Sequence, residues 1–155
     1  NTRFLHQYLD QRLGPGGASD RPLSLVFFDM DGFKAVVDAH GHLLGAQVLR
    51  EVAEVVDAEL DEEDHLVRYG GDEYVVILPD QGSPEALAKT ERIRQAIHSA
   101  HFLVSEGLAV KASASFGLAT YPDDADDKKG LLMAADQGLF SSKAAGKDRV
   151  SRAGR

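Results

Sequence analysis

No cysteine occurs among the 155 residues, so disulfides, thiolate chemistry and cysteine-ligated zinc are excluded together. Basic residues are the next shortage: 17 Lys and Arg stand against 25 Asp and Glu, a formal net charge of −8. Binding to the nucleic-acid backbone depends on clustered Lys and Arg that displace counterions, so neither nucleic acid nor a membrane surface is an expected partner. Long apolar runs are missing as well. A stretch such as Val75 to Leu78 is far below the about 18 residues that span a bilayer, and the N-terminus lacks a basic, apolar, small-residue signal. No internal repeat or low-complexity linker interrupts the chain. The 43% hydrophobic and 27% charged residues that remain suit one soluble globular domain with a packed core, expected over 1–155.

Phe4, Leu5, Tyr8, Leu9 and Leu13 recur at helical spacing and stop at Gly14-Pro15-Gly16-Gly17. A chain that starts in or just before a helix is expected to be a piece of a longer protein. "LSLVFFDMD", Leu23 to Asp31, is a run of strand formers ending in acids, the pattern of a central strand buried on both faces. From Gly41 to Leu60, the stripe Leu44, Val48, Leu49, Val52, Val56 and Leu60 predicts an amphipathic helix, with Glu51, Glu54, Asp57 and Glu59 toward water. "HLVRYGGDEYVVIL" reads as a hairpin with Asp72 and Glu73 at its tip. Ser83 is the expected cap, with Pro84 first in a helix of about 17 residues whose buried face carries Leu87, Thr90, Ile93 and Ile97. "VKASASFGL" alternates Val110, Ala112, Ala114, Phe116 and Leu118 with Lys111, Ser113, Ser115 and Gly117, predicting a strand with one buried face. A helix from Leu131 to Lys143 follows, stopped by Gly146, with Leu131, Leu132, Leu139 and Phe140 in the core. This order predicts an α+β fold, a ferredoxin-like βαββαβ core with helices on one face of a mostly antiparallel sheet.

In that arrangement the hairpin adjoins the first strand, and Asp72 and Glu73 approach Asp29 and Asp31. Converging carboxylates repel unless a proton or a cation lies among them. Oxygen ligands favour Mg²⁺ or Mn²⁺, and Mg²⁺ usually takes one or two carboxylates and leaves its other positions to water and phosphates. Gly70 and Gly71 would then give a tight turn that a phosphate-bearing ligand can approach. A solvated acidic turn is the alternative for "GGDE" by itself.

"FFDMDGFKAVVDAHGHLLG", "RYGGDEYVVILPD", "SASFGLA" and "AADQGLFSSKAAGKDRV" resemble, in order and spacing, the GGDEF family of diguanylate cyclases, from "NTRF" to about Val150. The resemblance implies a cytoplasmic domain that binds one GTP and pairs transiently with a second copy, so that each 3′-hydroxyl attacks the other nucleotide's α-phosphate and yields cyclic di-GMP and pyrophosphate. It implies, too, an upstream sensory or receiver domain outside this chain. By position, Asp29 and Asp72 are the metal carboxylates and Met30 supplies a carbonyl ligand. Glu73 is either a further metal contact or an aid in deprotonating the attacking hydroxyl. Phe33 and Lys34 match the segment beside the phosphates, and Lys143 and Lys147 the pair at the terminal phosphates. At the second of those places the family usually has arginine; lysine keeps the charge without the bidentate fork.

The sequence departs from the family at the base. The asparagine and aspartate that read guanine are replaced by Val37 and Ala46. A cyclase of altered base choice, a nucleotide-binding domain without turnover and an inactive contact module are all compatible with that. The RxxD feedback site is missing, since Asp61-Glu62-Glu63-Asp64 fills the stretch, expected as a solvated helix end. Tyr74 stands for the signature phenylalanine, and Phe140 where tyrosine is common. Among other readings, "DMDG" resembles the haloacid dehalogenase opening, which would make Asp29 a nucleophile, but those enzymes want Thr or Val where Phe33 stands. His98 and His101 lack a third ligand for zinc and are expected at the surface. His40 and His42 are expected to pack or cap, and the acids of "DDADD" at 123–127 to form an exposed loop.

Overall fold

A computed structural model describes residues 1–14 and 21–152, so Pro15, Gly16 and Gly17 of the expected helix stop lie outside the described residues. The elements run α1 (Thr2–Leu13), β1 (Leu23–Met30), α2 (Phe33–His40), α3 (His42–Asp57), β2 (His65–Arg68), β3 (Glu73–Pro79), α4 (Ser83–Ser99), β4 (Ala114–Tyr121), α5 (Lys128–Ala144) and β5 (Val150–Arg152). The sheet order is β2-β3-β1-β4-β5, antiparallel except for the β4–β5 pair. The expected α+β class and neighbouring of hairpin and first strand are both found. In the β1–β3 register Asp29 faces Glu73, so the two carboxylates share one face at one sheet end.

The helices cover both faces of the sheet, not one. Alternation along β1 sends Val26, Phe28 and Met30 into a cluster with Val48, Leu49 and Val52 of α3 and Ile93 and Ile97 of α4. It sends Leu23, Leu25 and Phe27 into a second cluster with Leu5 and Leu9 of α1 and Leu131, Ala135 and Leu139 of α5. Asp29 has the parity of the second set, which aims it at α5.

β4 differs from its prediction for the same reason. It begins at Ala114, and both faces are buried because α5 lies over the side that carries Ser115 and Gly117. Val110 instead bridges to Phe102. A Cβ on Gly117 would stand 2.1 Å from both the Ala135 carbonyl oxygen and the Leu139 nitrogen, so a glycine is what lets α5 seat on the strand backbone. That seating brings Lys143 to the end of β1.

The predicted helix from Gly41 is preceded by a second one, α2. Gly41 (φ +90°) separates the two, and Gly32 (φ +62°) turns the chain from β1 into α2. Gly45 lets them approach, since a Cβ there would meet Val37 Cγ2 at 2.9 Å. β5 was not anticipated; three residues carry no periodicity. The N-cap of α4 is Gly82, and the Ser83 hydroxyl accepts from Arg152 Nη2 (3.0 Å). Leu87, Phe140 and Glu51 also depart from expectation. Leu87 is 37% and Phe140 74% exposed, because the sheet-facing lines of α4 and α5 pass through Ala86, Ile93 and Ile97 and through Leu131, Ala135 and Leu139. Glu51 is half-buried, accepting from the Leu103 N–H at 2.9 Å.

Candidate functional site

The end of β1 gathers most of the charged residues singled out in the sequence. Lys143 Nζ contacts Asp29 Oδ1, lies 2.8 Å from Asp31 Oδ1 and donates to the Met30 carbonyl at 3.5 Å. Glu73 lies beside Asp29 by strand register, and Asp72 is near enough to act electrostatically on both. Burial raises the Asp29 carboxyl, and Asp72 and Asp31 push the same way, against the hydrogen bond and charge of Lys143. Burial also raises Glu73, reinforced by Asp29, Asp136 and Asp72. Asp31 moves downward: its burial is outweighed by hydrogen bonds from Lys143, Ser115 and Ser113. For Lys143, burial is outweighed by the hydrogen bonds and charges of Asp29 and Asp31, and its ammonium is raised.

The acids Asp29, Asp72 and Glu73 thus lie close together, and of the three Lys143 contacts Asp29, while also holding Asp31. This is a place short of positive charge, and the ammonium already rests against two of the oxygens expected to bind metal, Asp29 Oδ1 and the Met30 carbonyl. Hard oxygens in this charge state fit Mg²⁺ or Mn²⁺. Among the described residues, no group of three or more His, Cys, Asp or Glu is placed to hold a metal ion.

The hairpin turn is fixed from within. The Tyr69 and Gly70 N–H groups donate to the Glu73 carbonyl (2.9 and 3.1 Å), and the Arg68 guanidinium donates to the carbonyls of Gly70 (3.2 Å) and Gly71. Neither Gly70 nor Gly71 has a positive φ, so backbone conformation does not require glycine here. Gly71 instead lines a cleft of about 430 Å³ with Asp72, Arg68, Phe33, Lys34, Val37, His42, Ala46 and Leu49, and a Cβ on it would meet open space. Val37 from α2 and Ala46 from α3 thus lie in one cleft with the hairpin turn, and both side chains end in methyl groups.

Two of the sequence-predicted lysines are exposed. Lys34 is exposed and pairs with Asp38 at 3.1 Å. Lys147 is exposed in the turn after α5, its N–H donating to the Ser142 carbonyl (2.9 Å). Sequence reasoning missed Ser113, Ser115 and Asp148 around Asp31, and Arg68 behind the turn. The two serines were visible only as the polar half of an alternation, which reads as a solvent face.

Elsewhere, Asp61, Glu62 and Glu63 are exposed as expected, and Asp64 alone of the acidic run is buried. Lys89, reaching from α4, meets Asp61 Oδ2 and the buried Asp64 Oδ2 at 2.6 Å each, and Gln81 Nε2 donates to Asp64 Oδ1 (2.8 Å). Tyr74 is buried and its hydroxyl donates to the Leu49 carbonyl (2.9 Å). His98 is largely exposed and pairs with Asp148 (3.0 Å). In the 123–127 loop, Asp127 caps α5 by accepting from the Gly130 N–H (2.8 Å).

A family profile described as "Diguanylate cyclase, GGDEF domain" matches residues 1–149. The response regulator PleD of Caulobacter vibrioides is 34% identical over 151 residues, covering 97% of this chain and 33% of PleD. The diguanylate cyclase DosC of Shigella sonnei is 31% identical over 150 residues, 97% of this chain and 32% of DosC. The chain thus spans about a third of the length of these curated relatives. Among solved structures, the GGDEF domain of YfiN (also TpbB) from Pseudomonas aeruginosa superposes with a TM-score of 0.90 at 30% identity, covering 99% of this chain and 95% of that one. The GGDEF domain of DgcB from Caulobacter crescentus, solved in complex with c-di-GMP, gives a TM-score of 0.89 at 26% identity over 99% and 90% of the two chains.

Proposed function

The chain belongs to the GGDEF, diguanylate cyclase, domain family, and on that premise we propose that it condenses two nucleoside triphosphates into a cyclic dinucleotide. GTP is the substrate that the family implies. In each half-reaction a 3′-hydroxyl oxygen forms a bond to the α-phosphorus of the opposed nucleotide, the bond from that phosphorus to the bridging oxygen breaks, and pyrophosphate leaves with the electron pair. Two such domains must face each other, so the working unit is a transient homodimer.

Asp29, Asp72 and the Met30 carbonyl would hold Mg²⁺ or Mn²⁺. When bound, such an ion polarises the α-phosphate and neutralises charge on the leaving pyrophosphate. Lys143 and Lys147 place positive charge for the terminal phosphates. Phe33 and Lys34 open α2 toward the cleft, where backbone N–H groups at a helix start favour an anion. Glu73, the register partner of Asp29, remains to contact the ion or to receive the proton of the attacking hydroxyl. The observation that carries this reading is the single cleft joining Phe33, Lys34, Val37 and Ala46 to Gly71 and Asp72, beside the electron-rich end of β1.

Val37 and Ala46 favour a second reading, a domain that binds nucleotide or protein weakly and regulates without turnover. Each buried polar group left unpaired costs about 1–3 kcal/mol, so guanine is poorly distinguished from adenine by this lining. In either case the domain is proposed to serve an upstream sensory or receiver portion in the cytoplasm; no described helix is long and apolar enough to cross a membrane. The discriminating experiment incubates the chain with Mg²⁺ and GTP, ATP or both and resolves products by mass. A cyclic dinucleotide that disappears in Asp72→Ala supports the cyclase, and recovery of unchanged triphosphates alone supports the regulatory module.

A further inference from the structure

Asp31 lies next to the proposed metal carboxylate, yet its oxygens are committed elsewhere. Oδ1 accepts from Ser115 Oγ (2.6 Å) and Lys143 Nζ (2.8 Å); Oδ2 accepts from Ser113 Oγ (2.7 Å) and the Asp148 N–H (3.0 Å). Its own N–H donates to the Ser113 carbonyl (2.9 Å). A carboxylate offers about four lone-pair sites, and all are taken by donors. Asp31 is therefore not built to ligate a metal.

The partners of Asp31 lead to the two lysines assigned to the terminal phosphates. It holds Lys143 directly. Through the Asp148 N–H it anchors the turn carrying Lys147, where Lys147 (φ +68°) and Asp148 (φ +47°) are both left-handed without being glycine. Such conformations persist where surrounding contacts dictate them. Here the contacts are Asp31 from one side and, from α4, Arg94 Nη1 (2.9 Å) and His98 Nδ1 (3.0 Å) on the Asp148 carboxylate. Of the two acids on Lys143, Asp29 is the one that an ion would engage. Asp31, braced by two serines, is the one free to steer the lysine.

We infer that Asp31 is a positioning residue that presents Lys143 and Lys147 together to a polyphosphate. This rests on the proposed nucleotide site and assigns a role within it. Asp31→Asn keeps the shape but replaces one acceptor oxygen with a donor, which must then face either the lysine and Ser115 or Ser113 and the Asp148 N–H.

The test is calorimetric titration of wild type, Asp31→Asn and Ser113→Ala with GTP, GMP and inorganic pyrophosphate, each with Mg²⁺. Asp31→Asn is expected to weaken GTP and pyrophosphate about tenfold or more, as for loss of a hydrogen bond to a charged group, while GMP changes less than about twofold. Ser113→Ala, outside β4, is expected to show the same polyphosphate-selective loss to a smaller extent, which keeps the test decisive if Asp31→Asn folds poorly. Equal losses for GTP and GMP, or no loss in either variant, overturn the inference. Pyrophosphate bound in an Asp31-dependent way by a chain indifferent to both nucleotides would keep the positioning role and remove the cyclase reading. A wild type that binds none of the three overturns both.

Discussion

At the scale of single residues, the proposed choice of base turns on two methyl-bearing side chains. Val37 and Ala46 line the cleft beside Gly71 and Asp72, and neither can donate to or accept from a base edge. The double substitution Val37→Asn with Ala46→Asp is therefore expected to shift preference toward GTP over ATP by about tenfold or more. Competition binding with both nucleotides checks this, and an unchanged ratio removes the account of the base pocket. Tyr74 shows the opposite situation: its extra hydroxyl, buried between the strand and α3, is already satisfied by the Leu49 carbonyl at 2.9 Å. It packs in the core and does not line the cleft.

At the scale of elements, the stretch Asp61 to Asp64 is tied to α4 through Lys89. Burial pulls the Lys89 ammonium down, but the hydrogen bonds and charges of Asp61 and Asp64 outweigh it, so folding raises its pKa. A raised lysine holds its proton more tightly in the folded state. Its stabilisation is complete below about pH 10.4, the ordinary lysine value, and is lost as pH rises through the folded-state value. Lys89→Met strands the buried Asp64 carboxylate and is expected to cost about 3–5 kcal/mol near neutral pH, with a shallower decline above pH 10 than wild type. Urea unfolding at pH 7 and in the alkaline range measures both. A variant within about 1 kcal/mol of wild type at pH 7 contradicts the pairing. The burial of Asp64 was hidden in the sequence because its partner lies 25 residues further on, on a helix whose periodicity gives no hint that a lysine turns inward.

At the scale of the whole molecule, the path from pattern to site was legible where a local rule governs. A buried strand ending in acids and a hairpin bearing Asp72 and Glu73 could be read from runs and turns, and the order of elements placed them side by side. What could not be read depends on contacts distant in sequence. α5 covers the small-residue face of β4 because Gly117 admits it, and this turns an expected solvent face into the bed of Ser115 and brings Lys143 to Asp29. The same docking closes the donors of Ser113, Ser115 and Asp148 around Asp31, so an acid that the sequence placed among converging carboxylates is enclosed by donors and paired with Lys143. The helix layers on both faces follow from the same alternation in β1 that aims Asp29 at α5.

The central claim is that a triphosphate and a divalent ion share the end of β1 at Asp29. Calorimetric titration of GTP with and without Mg²⁺, on wild type and Asp29→Ala, tests it most directly. Wild type is expected to bind GTP at least about tenfold more tightly with Mg²⁺, and Asp29→Ala to lose that gain. Equal GTP affinity with and without the ion in wild type, or a full Mg²⁺ effect retained in Asp29→Ala, would contradict it.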